Sequence, residues 1–116
     1  MADGLLKIIR LNCIDSDDAV TDELKLQQDG RQVWPESDGA YFSVSVGNSV
    51  VLNKTLPFRD QTTITLYDAE DIGADDNLGS LYFHVHDTGN EEQTAEIRGR
   101  GSLYTMNYKI KDVSGF

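Results

Sequence analysis

A chain of 116 residues has the length of one folded domain, and its hydrophobic content of 39% is too high for a disordered protein. The formal net charge of −10, with only ten basic residues scattered along the chain, excludes nucleic acid as a partner, because phosphate binding depends on lysines and arginines. We expect a single domain over residues 1–116, and a monomer.

The single cysteine, Cys13, lies inside the apolar first segment of the chain. We therefore expect a small buried side chain at this position and no intramolecular disulfide. The first residues lack a basic stretch followed by an apolar one, and no apolar run approaches the length of a membrane span. These features predict a cytoplasmic protein.

The first predicted elements are a strand and a hairpin. Residues 5–14 are rich in Leu and Ile with a few polar positions, which is typical of a strand partly covered on both faces. Apolar and polar residues alternate over residues 24–27, and residues 31–34 form a returning strand. Between them, Asp29-Gly30 supplies the positive-φ pair of a tight hairpin turn.

A second hairpin is predicted around Gly47-Asn48, between residues 41–46 and 49–52. Further short strands are predicted at residues 63–66, 81–85, 94–98 and 103–110. No segment has a convincing helical period. The sequence therefore predicts an all-β fold, an antiparallel β-sandwich of about eight strands with Greek-key connections.

Two acidic stretches each follow a strand-like run. Residues 15–23 and residues 68–76 each contain five carboxylates, so these stretches hold ten of the twenty Asp and Glu residues. Crowded carboxylates repel one another unless water solvates them or a cation lies among them. Ca²⁺ prefers carboxylate and carbonyl oxygens and tolerates irregular geometry. Two such loops at one end of a sandwich therefore predict a calcium site.

The spacing of the second loop names candidate ligands. Four of its five carboxylates stand at relative positions 0, 2, 7 and 8, which are Asp68, Glu70, Asp75 and Asp76. Gly73 and Gly79 let the backbone bend, so that carbonyl groups also point inward. An EF-hand is excluded, because neither loop has a Glu at its twelfth position.

The second loop resembles a calcium-binding loop of C2 domains. Asp68-x-Glu70, then Asp76, then Leu78-Gly79 at the start of the next strand is similar to the third C2 loop, which reads D-x-D, a later D, an apolar residue and Gly. The upstream loop, which ends in Thr21-Asp22 before a new strand, is similar to the first C2 loop.

This resemblance implies a set of calcium ligands and a possible surface partner. The implied ligands are Asp22, Asp68, Glu70 and Asp76, with Asp15 or Asp17 as the remaining aspartate of the first loop and Asp75 as a further candidate. It also implies recruitment to a membrane surface, with Ala19, Val20 and Ile72 at the loop tips. The sequence supports recruitment weakly, because we find no lysine-rich strand face for anionic headgroups.

Two alternatives to a calcium site stay open. Asp, Asn and Gly are good turn residues, so the acidic stretches are also explained as solvated turns. A protein- or carbohydrate-interaction sandwich, whose loops contact a partner directly, is the alternative function. The protein partner is unknown.

The remaining motifs favour structural roles. His84 and His86, with Asp87, are a possible transition-metal group, but two exposed polar residues on a strand explain them better. Trp34, Tyr41-Phe42 and Tyr82 are more often packing residues than a sugar-binding surface. The chain contains no Ser/His/Asp arrangement, Cys-x-x-Cys pair or phosphate loop, so we do not expect an enzyme.

Overall fold

A computed structural model describes residues 3–16, 21–37, 39–70, 73–87 and 91–114. Within these residues, nine strands form two antiparallel sheets that enclose one apolar core. The strands are β1 (Asp3–Asp15), β2 (Thr21–Gln28), β3 (Arg31–Trp34), β4 (Phe42–Ser45), β5 (Ser49–Arg59), β6 (Gln61–Asp68), β7 (Asp76–His84), β8 (Gln93–Arg98) and β9 (Leu103–Asp112). A 3-10 turn, Val85–Asp87, follows β7.

One sheet has four strands in the order β5-β1-β9-β8, and the other has the order β3-β2-β6-β7 with β4 also paired to β2. Leu24 of β2 pairs with Phe42 of β4 on one side and with Asp68 of β6 on the other. Strands β3 and β4 therefore lie on the same side of β2, as one interrupted edge strand. With these two counted together, the predicted antiparallel sandwich of about eight strands is confirmed.

The core forms between the inner faces of the two sheets. Leu24, Leu26 and Leu66 from one sheet are fully buried, as are Tyr104 and Met106 from the other. Each such aliphatic side chain contributes about 1.5–3 kcal/mol when it leaves water. Cys13 is also buried in this core, as the sequence predicts, and burial raises the pKa of its thiol.

The two predicted hairpins have different outcomes. The turn at Asp29 and Gly30, with φ values of 50° and 86°, joins β2 to β3 and confirms the first hairpin. The second prediction is wrong, because β4 pairs with β2 while β5 pairs with β1. The Gly47-Asn48 turn exists, but it carries the chain from one sheet to the other. The N–H of Cys13 donates to the Asn48 carbonyl and the N–H of Gly47 donates to the Cys13 carbonyl, both at 2.9 Å.

The strands beside the acidic loops are longer than the sequence suggests. Strand β2 already begins at Thr21 and β7 at Asp76, so parts of both predicted loops are strand. A β-bulge at Leu78, where Leu66 pairs with Gly79 and Tyr67 with Asn77, changes the alternation along β7. Because β6 ends at Asp68 and β7 begins at Asp76, the connection between them consists of residues 69–75.

Within the part of the chain that the structure describes, no helix has the length and apolar character needed to cross a membrane.

Candidate metal site

Three carboxylates meet where β6 ends and β7 begins. Asp68, Glu70 and Asp76 each offer one oxygen atom, and these three oxygens lie within 4.8 Å of one another. The antiparallel pairing of β6 and β7 places Asp68 directly opposite Asp76, and Glu70 follows two residues after Asp68. The sheet itself therefore brings these three predicted residues together.

Asp68 is the anchor of this group. Its side chain faces the interior and is fully buried, in line with Ile64 and Leu66 on the same strand. Its Oδ1 accepts a hydrogen bond of 2.8 Å from the backbone N–H of Glu23, and the N–H of Ala69 donates to the Glu23 carbonyl at 2.7 Å. The start of β2 and the end of β6 thus lie at the same end of the sandwich, which is the placement that a shared site needs.

Asp75 takes a different position from the one expected of a ligand. Its Oδ2 accepts a hydrogen bond of 2.7 Å from Lys25 Nζ, and its Oδ1 accepts one of 3.0 Å from the backbone N–H of Glu70. The bond from Lys25, and after it the bond from Glu70, lower the pKa of Asp75. Asp75 therefore connects Lys25 to the backbone of Glu70 and lies outside the group of three.

Asp22 is buried one step deeper in the sandwich. Its side chain is fully buried, and Oδ2 accepts a hydrogen bond of 2.5 Å from the hydroxyl of Tyr104 in the opposite sheet. Burial, and then the bonds to Asp22 and Cys13, raise the pKa of Tyr104. Asp22 lies at the start of β2, next to Glu23 and at the same end of the molecule as Asp68, but it does not belong to the group of three.

The other two predicted ligands of the first loop, Asp15 and Asp17, also lie outside the group of three or outside the described residues. Asp15 ends β1, is exposed, and pairs across the backbone with Leu103. It does not belong to the group of three carboxylates. Asp17, together with the predicted loop-tip residues Ala19, Val20 and Ile72, lies outside the described residues.

The group of three carboxylates fits Ca²⁺ in chemistry and in spacing. Ca–O distances of 2.3–2.6 Å allow two oxygens on one ion to stand up to about 5 Å apart, which accommodates oxygens that lie within 4.8 Å of one another. Three carboxylates held this close repel one another, and burial of a carboxylate such as that of Asp68 carries a desolvation cost. A divalent cation among them relieves both costs.

Among the described residues at this end, Lys25 and Tyr104 make side-chain contacts that the sequence does not predict. Lys25 alternates with leucines on β2 and reads as an ordinary exposed strand residue. Tyr104 lies 82 positions from Asp22, so only the sheet order brings the two together. Neither contact leaves a local signal in the sequence.

The histidines and aromatic residues do not form a second site. The rings of His84 and His86 stack with centroids 4.7 Å apart, and the backbone N–H of His84 donates to Asp87. Among the described residues, no group of potential metal ligands includes them. Tyr82 lies on β7, whereas Trp34 and Phe42, 5.8 Å apart, lie at the opposite edge of that sheet, so they share no platform.

Comparisons with known proteins identify the fold. No protein-family description and no curated protein sequence matches the chain. Among solved structures, the C2A domain of plant extended synaptotagmin 1 matches with a TM-score of 0.54 and 16% identity, over 96% of this chain and 95% of that one. Another C2 domain matches with a TM-score of 0.53 and 19% identity, over 96% and 99% of the two chains.

A third match is CC2D1B, a protein described as coordinating ESCRT-III activity during the mitotic reformation of the nuclear envelope. It has a TM-score of 0.60 and 10% identity, over 95% of this chain and 54% of that one. At such low identities the likeness concerns the fold and not the ligands. The order of the strands and these matches together show that the chain has a C2-domain-like β-sandwich fold.

Proposed function

We propose that this chain is a calcium-binding module in which Asp68, Glu70 and Asp76 supply the central ligands. The observation that carries the proposal is the meeting of three carboxylate oxygens within 4.8 Å, one of them on a fully buried side chain. The C2-like fold supports it. The group also lies at the β6–β7 connection, whose sequence resembles a calcium-binding loop of C2 domains. Asp15, Asp17 and Asp22 are proposed as further ligands from the first loop.

The ion would supply positive charge that the carboxylates share. Asp68 is held by the backbone of Glu23, so its oxygen is in place before any ion arrives. Glu70 is held through its backbone by Asp75, and Asp76 is held in the first pair of the β6–β7 ladder. The chain's own part is therefore to fix three oxygens on two strand ends and one short loop.

A calorimetric titration of chelator-treated protein with CaCl₂ tests this proposal. We expect saturable binding in the wild type and a loss of at least about tenfold in affinity for Glu70→Gln and for Asp76→Asn, since each removes one charged ligand. Both side chains are partly or fully solvent-accessible, so these variants should fold. Glu91→Gln, an exposed change outside the site, is the matched control.

Amide chemical shifts recorded by NMR in a parallel calcium titration locate the ion. Shifts confined to the neighbourhoods of residues 15–23 and 68–79 support the proposed site. No heat and no shifts up to millimolar calcium would contradict it. Mg²⁺ should bind less tightly, because it gives up water reluctantly and demands regular octahedral geometry.

A direct interaction module is the second candidate function. The observation in its favour is the ion pair between Lys25 and Asp75, which already provides a positive charge beside the acidic loop. A partner that binds equally well in EGTA and in calcium would favour this alternative. In either case we propose a binding module and not an enzyme; recruitment to membranes and a cytoplasmic location stay predictions.

A further inference from the structure

The outer face of the four-stranded sheet carries a basic stripe, defined here as Lys7 and Arg10 of β1 with Lys109 and Lys111 of β9. All four side chains are exposed, and they lie on the two central strands of the sheet. They make up four of the ten basic residues of a chain whose net charge is −10. The expected absence of a lysine-rich strand face is therefore wrong.

A β-bulge explains why the sequence conceals the stripe. In a regular strand, residues 7 and 10 would point to opposite faces, because side chains alternate. The register of β1 against β9 shifts between Ile8 and Arg10, so Ile9 is an additional residue and Arg10 returns to the face of Lys7. Ile8 and Leu11 accordingly both point into the core.

The stripe concentrates positive charge at a free-energy cost. Lys7 is directly opposite Lys109 in the register of β1 and β9. Like charges in directly opposed positions destabilise a sheet. Among the described residues, no carboxylate forms an ion pair with Lys7, Arg10 or Lys109, whereas four basic residues elsewhere form such pairs: Lys25, Lys54, Arg59 and Arg98. An anionic partner would remove the cost.

The cations are spaced in rows along the strand direction. One row contains Arg10 opposite Asn107, the next contains Lys7 opposite Lys109, and the third contains Lys111 opposite Leu5. Neighbouring outward positions on a strand are about 7 Å apart. This is also the distance between alternate side chains of an extended polypeptide.

We propose that the basic stripe binds an extended acidic segment of a partner protein, with Asp or Glu at alternate positions facing successive rows. Hydrogen-bonding groups flank the stripe: Asn12 is bonded to Asn107 at 2.8 Å and to Ser49 at 2.7 Å. Glu92 accepts a hydrogen bond of 3.1 Å from Asn107 at the rim of the stripe. The net charge of −10 on the whole chain repels extended polyanionic surfaces, which favours a short segment over a bilayer.

Fluorescence anisotropy with a labelled peptide, Glu-Ser-Glu-Ser-Glu-Ser-Glu, tests the proposal on the full chain. We expect millimolar to high-micromolar binding at low salt, weakened by added salt because the charges are exposed. The triple variant K7Q/R10Q/K109Q should bind about tenfold more weakly. The triple variant R31Q/K54Q/R100Q, which removes the same charge from elsewhere, should change the affinity less than about twofold.

A second peptide with the same composition but consecutive glutamates tests the spacing, and it should bind more weakly than the alternating peptide. Equal losses in the two triple variants would overturn the proposal, as would absence of peptide binding by the wild type. Vesicles rich in phosphatidylserine provide the other arm. Co-sedimentation that requires the stripe, without binding of the peptide, would assign the face to lipid and overturn the proposed partner.

Discussion

Lys25 places a fixed positive charge beside the candidate metal site and holds Asp75 away from it, at 2.7 Å from its own ammonium group. A cation at this position repels an incoming Ca²⁺ and removes one carboxylate from the set of possible ligands. Replacement of Lys25 by Met should therefore raise calcium affinity by about tenfold. The reason is that a like charge beside a partly solvated site costs about 1–2 kcal/mol of binding free energy. Calorimetry measures the change.

Lys54→Met is the matched control for this prediction, because it breaks the exposed pair of Lys54 with Glu36 and changes the net charge equally. If the effect acts through Asp75, the double variant K25M/D75N should lose most of the gain. A lower affinity in K25M would instead show that Lys25 supports binding by keeping the loop closed.

The same ion pair gives stability a pH dependence. Because the bonds from Lys25 and Glu70 depress the folded-state pKa of Asp75, its charged form stabilises the fold above the unfolded pKa of about 3.9. This contribution is lost as pH falls through the lower, folded-state pKa. Urea unfolding should give a higher free energy of unfolding for the wild type than for Asp75→Asn near neutral pH, and this difference should disappear below about pH 4. A gap that persists in strong acid would contradict the assignment.

Tyr104 carries a second buried polar contact at this end. Phenylalanine at this position removes the hydroxyl that donates to Asp22, a fully buried carboxylate. Hydrogen bonds to charged groups contribute about 1.5–3 kcal/mol, so Tyr104→Phe should lower the free energy of unfolding by about 2 kcal/mol. Chemical denaturation measures this loss, and Tyr82→Phe, at a residue that is 78% exposed, is the control. An unchanged midpoint would show that Asp22 is satisfied without Tyr104.

At the scale of elements, Gly79 holds the bulge that shapes the start of β7. Its φ is 131°, and an added Cβ would stand 2.9 Å from both the Arg98 carbonyl oxygen and Ile97 Cγ2. Gly79→Ala therefore combines backbone strain with a clash and should cost more than about 2 kcal/mol. Gly30 has a φ of 86°, and an added Cβ would meet no atom within 4 Å, so Gly30→Ala should lower the free energy of unfolding by only about 1 kcal/mol. Equal losses would show that the close approach to β8 relaxes freely.

Local chemistry made the elements predictable, but it did not determine how they pair. Asp29-Gly30 predicts a hairpin correctly because both flanking strands belong to one sheet. Gly47-Asn48 has the same local signature, yet its strands belong to different sheets, and only the core packing of both sheets decides this. The bulges at Ile9 and Leu78 also escaped prediction. Ile9 has no Gly or Pro beside it, and Gly79, which follows Leu78, was interpreted as a bend of the acidic loop.

The candidate site was predictable to the same extent. The carboxylate spacing identified Asp68, Glu70 and Asp76, which β6 and β7 bring together. It also included Asp75, whose contact with Lys25 of β2 depends on the order of strands in the sheet. Spacing along the chain therefore identifies which carboxylates are near one another, but not which of them a lysine from another strand engages.

For the molecule as a whole, calcium should act as a stabilising ligand. Binding to the folded chain alone raises the free energy of unfolding by about 2.7 kcal/mol when free calcium is 100 times the dissociation constant. Urea unfolding at a series of calcium concentrations measures this rise. The variant E70Q/D76N should show none of it, and magnesium at equal ionic strength should produce less. A rise of the same size in that variant would place the ion elsewhere.

The distribution of charge also separates two surfaces by sign. The group of Asp68, Glu70 and Asp76 lies at one end of the sandwich, whereas the basic stripe lies on an outer sheet face. Calcium should therefore affect the first surface and leave peptide binding by the second nearly unchanged. Anisotropy measured with and without calcium checks this independence, and a change of more than about tenfold would indicate coupling between the two.

Strand β5 forms one edge of the four-stranded sheet and is 11 residues long, which in a flat strand would offer an open template for aggregation. Two features interrupt it. Asn53 has a φ of 48°, and Pro57 has no N–H to donate while its carbonyl accepts a hydrogen bond of 3.0 Å from Gln28 Nε2. A foreign strand therefore meets no continuous row of donors and acceptors along β5, so this edge is a poor template for edge-to-edge pairing.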